Sequence, residues 1–181
     1  MSTQSFPKHH LPVLNLFFMT LMLVVTTANV ARTQTNPRSI DSLLKVFYES
    51  LSFPEGKSPD WDRFRNLFTS ATSPCIRITG DSVMQMDREG FIAFFGGRIT
   101  KGTLKSFEEK EIKRTGEYYG SLAQIFSTYE KRMNLADQVK PIRGINSFQL
   151  IYKKDRWWIA SVTWQDESPD KLIPSKYLEQ H

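Results

Sequence analysis

Cysteine is nearly missing from these 181 residues: Cys75 stands alone, so no disulfide can close within the chain and stability must come from packing. Set between Pro74 and Ile76 in an apolar run, it reads as a buried, inert thiol rather than a reactive one. Histidine is equally scarce. His9 and His10 sit near the start and His181 is the last residue, so histidine cannot supply a catalytic base, and no His/Cys cluster exists to hold a transition metal. Asp60, Asp62 and Asp81 lack the spacing of a calcium loop. Gly96-Gly97 and Gly102 do not follow a strand into a helix in the order a phosphate cradle requires. No metal and no other cofactor is expected.

Acidic residues are absent from positions 1–31, where Lys8, His9 and His10 precede an almost wholly apolar run over 11–25. This pattern predicts a secretory signal over residues 1–31, with small residues fitting cleavage after Ala28 or Ala31. The alternative is an uncleaved N-terminal membrane anchor, since 11–31 approaches the ~20 residues that span a bilayer; Pro12, Asn15 and the Thr-Thr-Ala-Asn stretch argue against it. Either way the domain is expected to be exported, secreted or periplasmic. Loss of 1–31 removes one of 24 basic residues and none of the 19 acidic ones, which leaves a formal charge of +4. Lys and Arg are scattered and interleaved with Glu rather than gathered in a patch, which excludes nucleic acid as the expected partner.

What remains suits one globular domain. Residues 32–37 read as a disordered linker, 38–168 as the domain and 169–181 as an irregular tail held, if at all, by Ile173, Pro174, Tyr177 and Leu178. Asn36-Pro37 can open a helix carrying Ile40, Leu43, Leu44, Phe47 and Leu51 at helical spacing. Ser58-Pro59-Asp60 opens a second, short one through Trp61, Phe64, Leu67 and Phe68. A strand over 75–79 ends at Gly80-Asp81, and a third helix runs from Asp87 through Phe91, Ile92, Phe94 and Phe95 to a stop at Gly96-Gly97. No helix-length apolar stripe occurs after Ser106. Four extended segments follow instead, at 106–115, 120–132, 144–153 and 156–165, the last two joined by a tight Lys154-Asp155 turn.

The order predicts an α+β fold with three N-terminal helices packed on a strongly curved antiparallel sheet. Alternation along 120–132 puts Ala123, Ile125, Ser127 and Tyr129 on one face and Leu122, Phe126 and Glu130 on the other. The final strand divides Trp157 and Ile159 from Trp158, Val162 and Trp164 by the same rule. One face would meet the helices. The other is apolar enough to predict a homodimer through the outer sheet face.

Asp60-Trp61-Asp62 with Leu67-Phe68, Tyr119-Gly120-Ser121-Leu122-Ala123, Ser127-Thr128-Tyr129-Glu130, the run from Arg143 to Leu150, and Arg156-Trp157-Trp158-Ile159 resemble the nuclear transport factor 2-like superfamily, with its ketosteroid-isomerase-like and SnoaL-like members. The resemblance spans about residues 40–178 and implies a cystatin-like cone barrel. Such cones host isomerases, dehydratases, binders and structural subunits, so the fold does not choose among them.

A cone of this kind keeps a mostly apolar cavity with a few inward polar groups. The candidate ligand-binding residues are Tyr129, Arg143, Asn146, Gln149 and Trp164. The first expectation is a non-catalytic, exported small-molecule-binding or interaction domain for a small apolar ligand. The second is a cofactor-free isomerase or dehydratase, with Glu130 or Glu111 moving the proton and Tyr129 or Tyr118 stabilising an enolate oxygen. A structural homodimer with a cone filled by aromatics is the third. Against catalysis, Glu130 and Arg143 can form a cross-strand ion pair, and 108–113, with Glu108, Glu109 and Glu111, reads as a solvated strand. Asn146 and Gln149 differ in strand parity, so at most one faces the cavity unless a bulge intervenes. A carboxylate pointing into an enclosed cavity beside a tyrosine, with a raised pKa, separates the enzyme from the binder.

Overall fold

The computed structural model describes Met1 and residues 37–178, so residues 2–31 of the expected signal, linker residues 32–36 and tail residues 179–181 lie outside the described residues. Among the described residues no helix is long and apolar enough to cross a membrane.

The first helix, α1 (Ile40–Leu51), begins three residues later than Asn36-Pro37 suggests, because Ser39 supplies a capping box. Its hydroxyl accepts from the Ser42 amide at 3.1 Å, and the Ser42 hydroxyl accepts from the Ser39 amide at 3.2 Å. Pro37 is buried, and its carbonyl accepts from the Trp157 amide. The apolar stripe of α1 is joined by buried Val46, Tyr48 and Ser50, so the helix is enclosed on most sides. The short α2 (Trp61–Arg65) is capped by Asp60, whose carboxylate accepts from the Arg63 amide at 3.1 Å.

α3 (Arg88–Thr100) starts at Asp87 as expected and then runs through Gly96-Gly97. Gly costs a helix roughly 1 kcal/mol relative to Ala, but both glycines keep a negative φ, and Ile99 beyond them packs against the core. The terminating glycine is Gly102, at φ +70°, just past the C-cap Lys101.

Among the described residues six strands form one sheet in the order β2-β1-β6-β5-β4-β3. They are β1 (Pro74–Thr79), β2 (Ser82–Asp87), β3 (Phe107–Tyr119), β4 (Leu122–Met133), β5 (Ile142–Lys153) and β6 (Arg156–Asp166). β1 and β6 run parallel and every other pair is antiparallel. The strand absent from the expectation is β2. Gly80 at φ +57° turns the chain straight back, and the returning edge strand is so exposed that its sequence shows no apolar alternation. Lys154 and Asp155, at φ 52° and 58°, form the β5–β6 turn without a glycine.

Two bulges set which side chains face the helices. In β3 the register jumps from Glu111↔Tyr129 to Lys113↔Thr128, so Ile112 is the extra residue. In β6 it jumps from Gln149↔Ser161 to Leu150↔Ile159, with Ala160 extra. The β6 bulge overturns the simple alternation expected there: Ile159 falls on the same side as Val162 and Trp164. β4 has no bulge, and its expected inner row, Ala123, Ile125, Ser127 and Tyr129, is buried throughout. Between this row and the helices lies an aromatic core, with Phe47 edge-on to Phe148 at 5.0 Å and Phe95 edge-on to Phe107 at 5.1 Å.

The opposite face is partly covered by the chain's own tail. Tyr177 stacks on Phe126 with centroids 5.8 Å apart, and its carbonyl accepts from the Thr128 hydroxyl at 2.8 Å. That tail occupies part of the surface expected to meet a second copy.

Candidate functional site

A cavity of about 410 Å³ lies between the inner sheet face and the helices. Part of its wall is aromatic, with Phe64 and Phe91 stacked at 5.3 Å and Trp164 edge-on to Phe91 at 5.6 Å. Glu109, Tyr129, Lys131, Asn146 and Asp166 also line it, with Arg77 by Asp166 and Arg98 by Met133.

Strand register explains how these polar groups converge. Glu109 on β3 is directly opposite Lys131 on β4. Tyr129, two residues before Lys131 and therefore on the same face, is opposite Gly144, which is opposite Asp166 on β6. A Cβ at Gly144 would overlap the Tyr129 ring and come within 2.6 Å of the Gln165 carbonyl. Because glycine has none, the tyrosine crosses β5 and donates its hydroxyl hydrogen to Asp166 Oδ1 at 2.5 Å. Lys131 Nζ donates to the same oxygen at 2.5 Å, and Arg77 stands 4.0 Å from the other. Burial, with the charges of Glu109 and Asp166 adding to it, raises the Tyr129 pKa, so the phenol stays protonated and acts as a donor.

Glu109 lines the cavity opposite Lys131 and next to Asn146. Burial pushes its carboxyl up to about 7, against the opposing effects of Lys131 and of a hydrogen bond from Asn146. The residue as a whole is only half-buried because it borders the cavity and also an outer groove beside α1. The crowding of protein around the carboxyl governs the charge.

Asn146 Nδ2 donates both to Glu109 Oε1 at 3.3 Å and to the Tyr48 hydroxyl at 3.2 Å. Ser127 spends its hydrogen on Glu111 Oε1 at 2.6 Å, so Tyr48, 2.6 Å from the Ser127 oxygen, must donate to it. Burial raises the Tyr48 pKa, which keeps that hydrogen in place. The series ends where Arg114 pairs with Glu111 at 2.6 Å and with Asp41 at 2.7 Å.

The structure distributes the expected site residues unevenly. Tyr129, Asn146 and Trp164 line the cavity. Arg143 and Gln149 do not: Gln149 is exposed, because β5 alternates regularly through buried Asn146, Phe148 and Leu150 and leaves it on the outer side. Arg143 is the register neighbour of Glu130, as a cross-strand pair requires, but its guanidinium goes to Glu167 at 2.8 Å, while Glu130 faces Lys110 at 3.6 Å. Glu130 points away from the cavity by strand alternation. Glu111 is tied to Arg114 and Ser127 outside it, and Tyr118 is exposed. Glu109, Lys131 and Asp166 were missed. Glu109 sits amid charges that resemble a solvated strand; the available signal was Phe107, two residues before it on the same face.

No family model matches the sequence, and no curated protein matches it. Solved structures do. A protein of unknown function with a cystatin-like fold from Nostoc punctiforme is similar over 72% of this chain and 90% of its own, at 11% identity and a TM-score of 0.54. A putative dehydratase from the NTF2-like family of Streptomyces avermitilis is similar over 71% and 94%, at 11% identity and 0.55. A putative scytalone dehydratase from Novosphingobium aromaticivorans is similar over 72% and 83%, at 10% identity and 0.55. These likenesses show the fold that the sequence resemblance implied, the nuclear transport factor 2-like one, and leave the activity to be argued from the site.

Proposed function

We propose that the chain is an exported domain whose cavity binds a small, largely apolar molecule and moves a proton at one of its carbons, as in an isomerase or a dehydratase, without a cofactor. The observation that carries this reading is Glu109: a cavity-lining carboxyl whose affinity for a proton is lifted to about 7 by burial, the value at which a base is both available and strong near neutral pH. Lys131, its cross-strand neighbour, uses one of its three hydrogens on Asp166 and keeps two for an oxygen that gains charge as the proton leaves. Tyr129 is therefore assigned to holding Asp166, and the enolate role passes to Lys131. Two similar structures bear dehydratase names, which agrees with this chemistry.

The test is exchange of the α-hydrogens of an enolisable bicyclic ketone, 2-tetralone, in D2O, followed by proton NMR. Wild type should accelerate exchange and Glu109→Gln should lose the acceleration, while Glu130→Gln keeps it. Equal rates for wild type and Glu109→Gln would sink the catalytic reading and leave the non-catalytic binding domain. The open volume of the cavity argues against a cone filled by its own aromatics. A symmetric dimer through the part of the outer face the tail leaves open belongs to the same proposal, and sedimentation velocity tests it.

A further inference from the structure

The charges on the cavity wall do not balance. Arg77, Arg98 and Lys131 contribute three cations; Asp166 and Glu109 are the acids. Asp166 is taken by Lys131 and approached by Arg77. Glu109, with a proton affinity near 7, carries only part of a negative charge at neutral pH. Arg98 has no acid partner among the described residues. Its guanidinium makes one hydrogen bond there, from Nη2 to the Met133 sulfur at 3.5 Å, a weak acceptor for a charged donor.

Position in the fold explains the presence of a cation but not its lack of an acid. Arg98 lies in the last turn of α3, where the helix dipole favours positive charge. The helix end itself is capped by backbone: the Arg98 carbonyl accepts from the amides of Thr103 and Leu104. The guanidinium is left over from that arrangement, on a half-buried residue that lines the cavity together with Phe94 and Phe95 of its own helix and with Met133. A planar fork of donors beside aromatic surface matches a carboxylate bidentately, and a carboxylate would also neutralise the excess positive charge.

Resting on the reading of this cavity as a small-molecule site, we propose that its ligand is an aromatic carboxylate, with the ring against Phe91 and Trp164 and the carboxylate on Arg98. The volume accommodates a bicyclic ring system, at the small end of ligand cavities. The two ends of the molecule are thereby assigned separate jobs. Arg98 fixes the anionic end, and the reacting carbon is left to Glu109 and Lys131.

The experiment is calorimetric titration of the full domain with 2-naphthoate and with its neutral isostere, 2-naphthamide, on wild type, Arg98→Gln and Arg98→Lys. Wild type should bind the acid at least about ten-fold more tightly than the amide. Arg98→Gln should lose that preference while holding the amide as well as wild type does, which also shows that the variant is folded. Arg98→Lys should keep part of it. Wild type binding the amide as tightly as the acid, or Arg98→Gln keeping the preference, overturns the assignment of the carboxylate without touching Glu109. Failure of both probes to bind at millimolar concentration overturns it together with the small-molecule reading of the cavity. Equal ketone exchange by wild type and Glu109→Gln would sink the proton-transfer reading and leave the carboxylate assignment standing.

Discussion

Tyr129 on β4 gives its hydroxyl hydrogen to Asp166 on β6, two strands away, across the bare backbone of Gly144. The contact needs three matched choices: a side chain long enough to span β5, an acid at its far end, and no Cβ between them. Asp166 is thereby held facing the cavity with Lys131 on it, which places the ammonium next to Glu109.

Gly144→Ala should consequently be costly. The added methyl meets the Tyr129 ring and the rigid Gln165 carbonyl, so neither can yield cheaply; overpacking of this kind costs about 1–3 kcal/mol. Gly116→Ala is the control. Its methyl would meet the far end of the buried Ile125 side chain and the Tyr118 hydroxyl, with the Gln124 carbonyl at 3.3 Å against 2.6 Å for the Gln165 carbonyl at Gly144, so its loss should be the smaller of the two. Urea unfolding of the two variants checks the order, and a Gly116→Ala loss equal to that of Gly144→Ala would refute the account.

Lys131 and Asp166 should be coupled. Their side chains are 12% and 27% exposed, so the pair lies between a surface bridge and a fully buried one. Lys131→Met leaves Asp166 with Tyr129 and a distant Arg77, and should cost about 1–3 kcal/mol. Lys131→Met/Asp166→Asn should recover part of it, because the stranded charge is gone. A double-mutant cycle reads the coupling; additive losses would mean the two do not act as a pair.

The legible part of the sequence is the part where periodicity is undisturbed. The apolar stripe of α1, the start of α3 at Asp87 and the inner row of β4 follow directly from spacing and capping chemistry, while the cap of α1 lies at Ser39 and not at Asn36. The errors share a cause. β2 is an edge strand with no buried row to mark it, and the β6 bulge at Ala160 moves every later side chain to the other face. Site residues suffered most, because each is chosen by a tertiary relationship. Glu130 looked like a base and Glu109 like a surface charge, although strand alternation carried from Phe107 and from Tyr129 places them the other way round. Arg143 was assigned to Glu130 by register, but Glu167 past the end of β6 gives its guanidinium a closer partner.

Cys75 should be silent in the native protein. Burial, helped by the charge of Asp87 and opposed by Arg88, pushes its thiol up to about 12, and its sulfur faces the Ser73 carbonyl at 3.8 Å. At pH 8 the thiolate fraction is then about one in ten thousand. Methyl methanethiosulfonate, small and uncharged, should label Cys75 only as fast as the domain unfolds, with the rate rising as urea is added. Rapid labelling of the folded protein, unaffected by urea, would mean that the cavity opens to the thiol without unfolding.

Glu109 should give stability, and the proposed proton transfer, pH dependences that run in opposite directions. Its folded pKa, about 7, lies above the usual carboxylate value near 4.5, so between these limits the folded state holds a proton that the unfolded chain has released. Stability must fall as pH rises through that window, and the loss, roughly 1–3 kcal/mol, is complete above about pH 7. Proton abstraction needs the carboxylate, so exchange of ketone hydrogens should instead climb with pH and level off above about 7. Glu109→Gln removes the ionisation: the variant should be flatter in stability from pH 5 to 7.5, more stable than wild type at the upper end, and inactive throughout. Urea unfolding at both pH values separates this from a structural role. A Glu109 held only for its hydrogen bond from Asn146 would leave the variant no more stable at pH 7.5 and its pH slope unchanged.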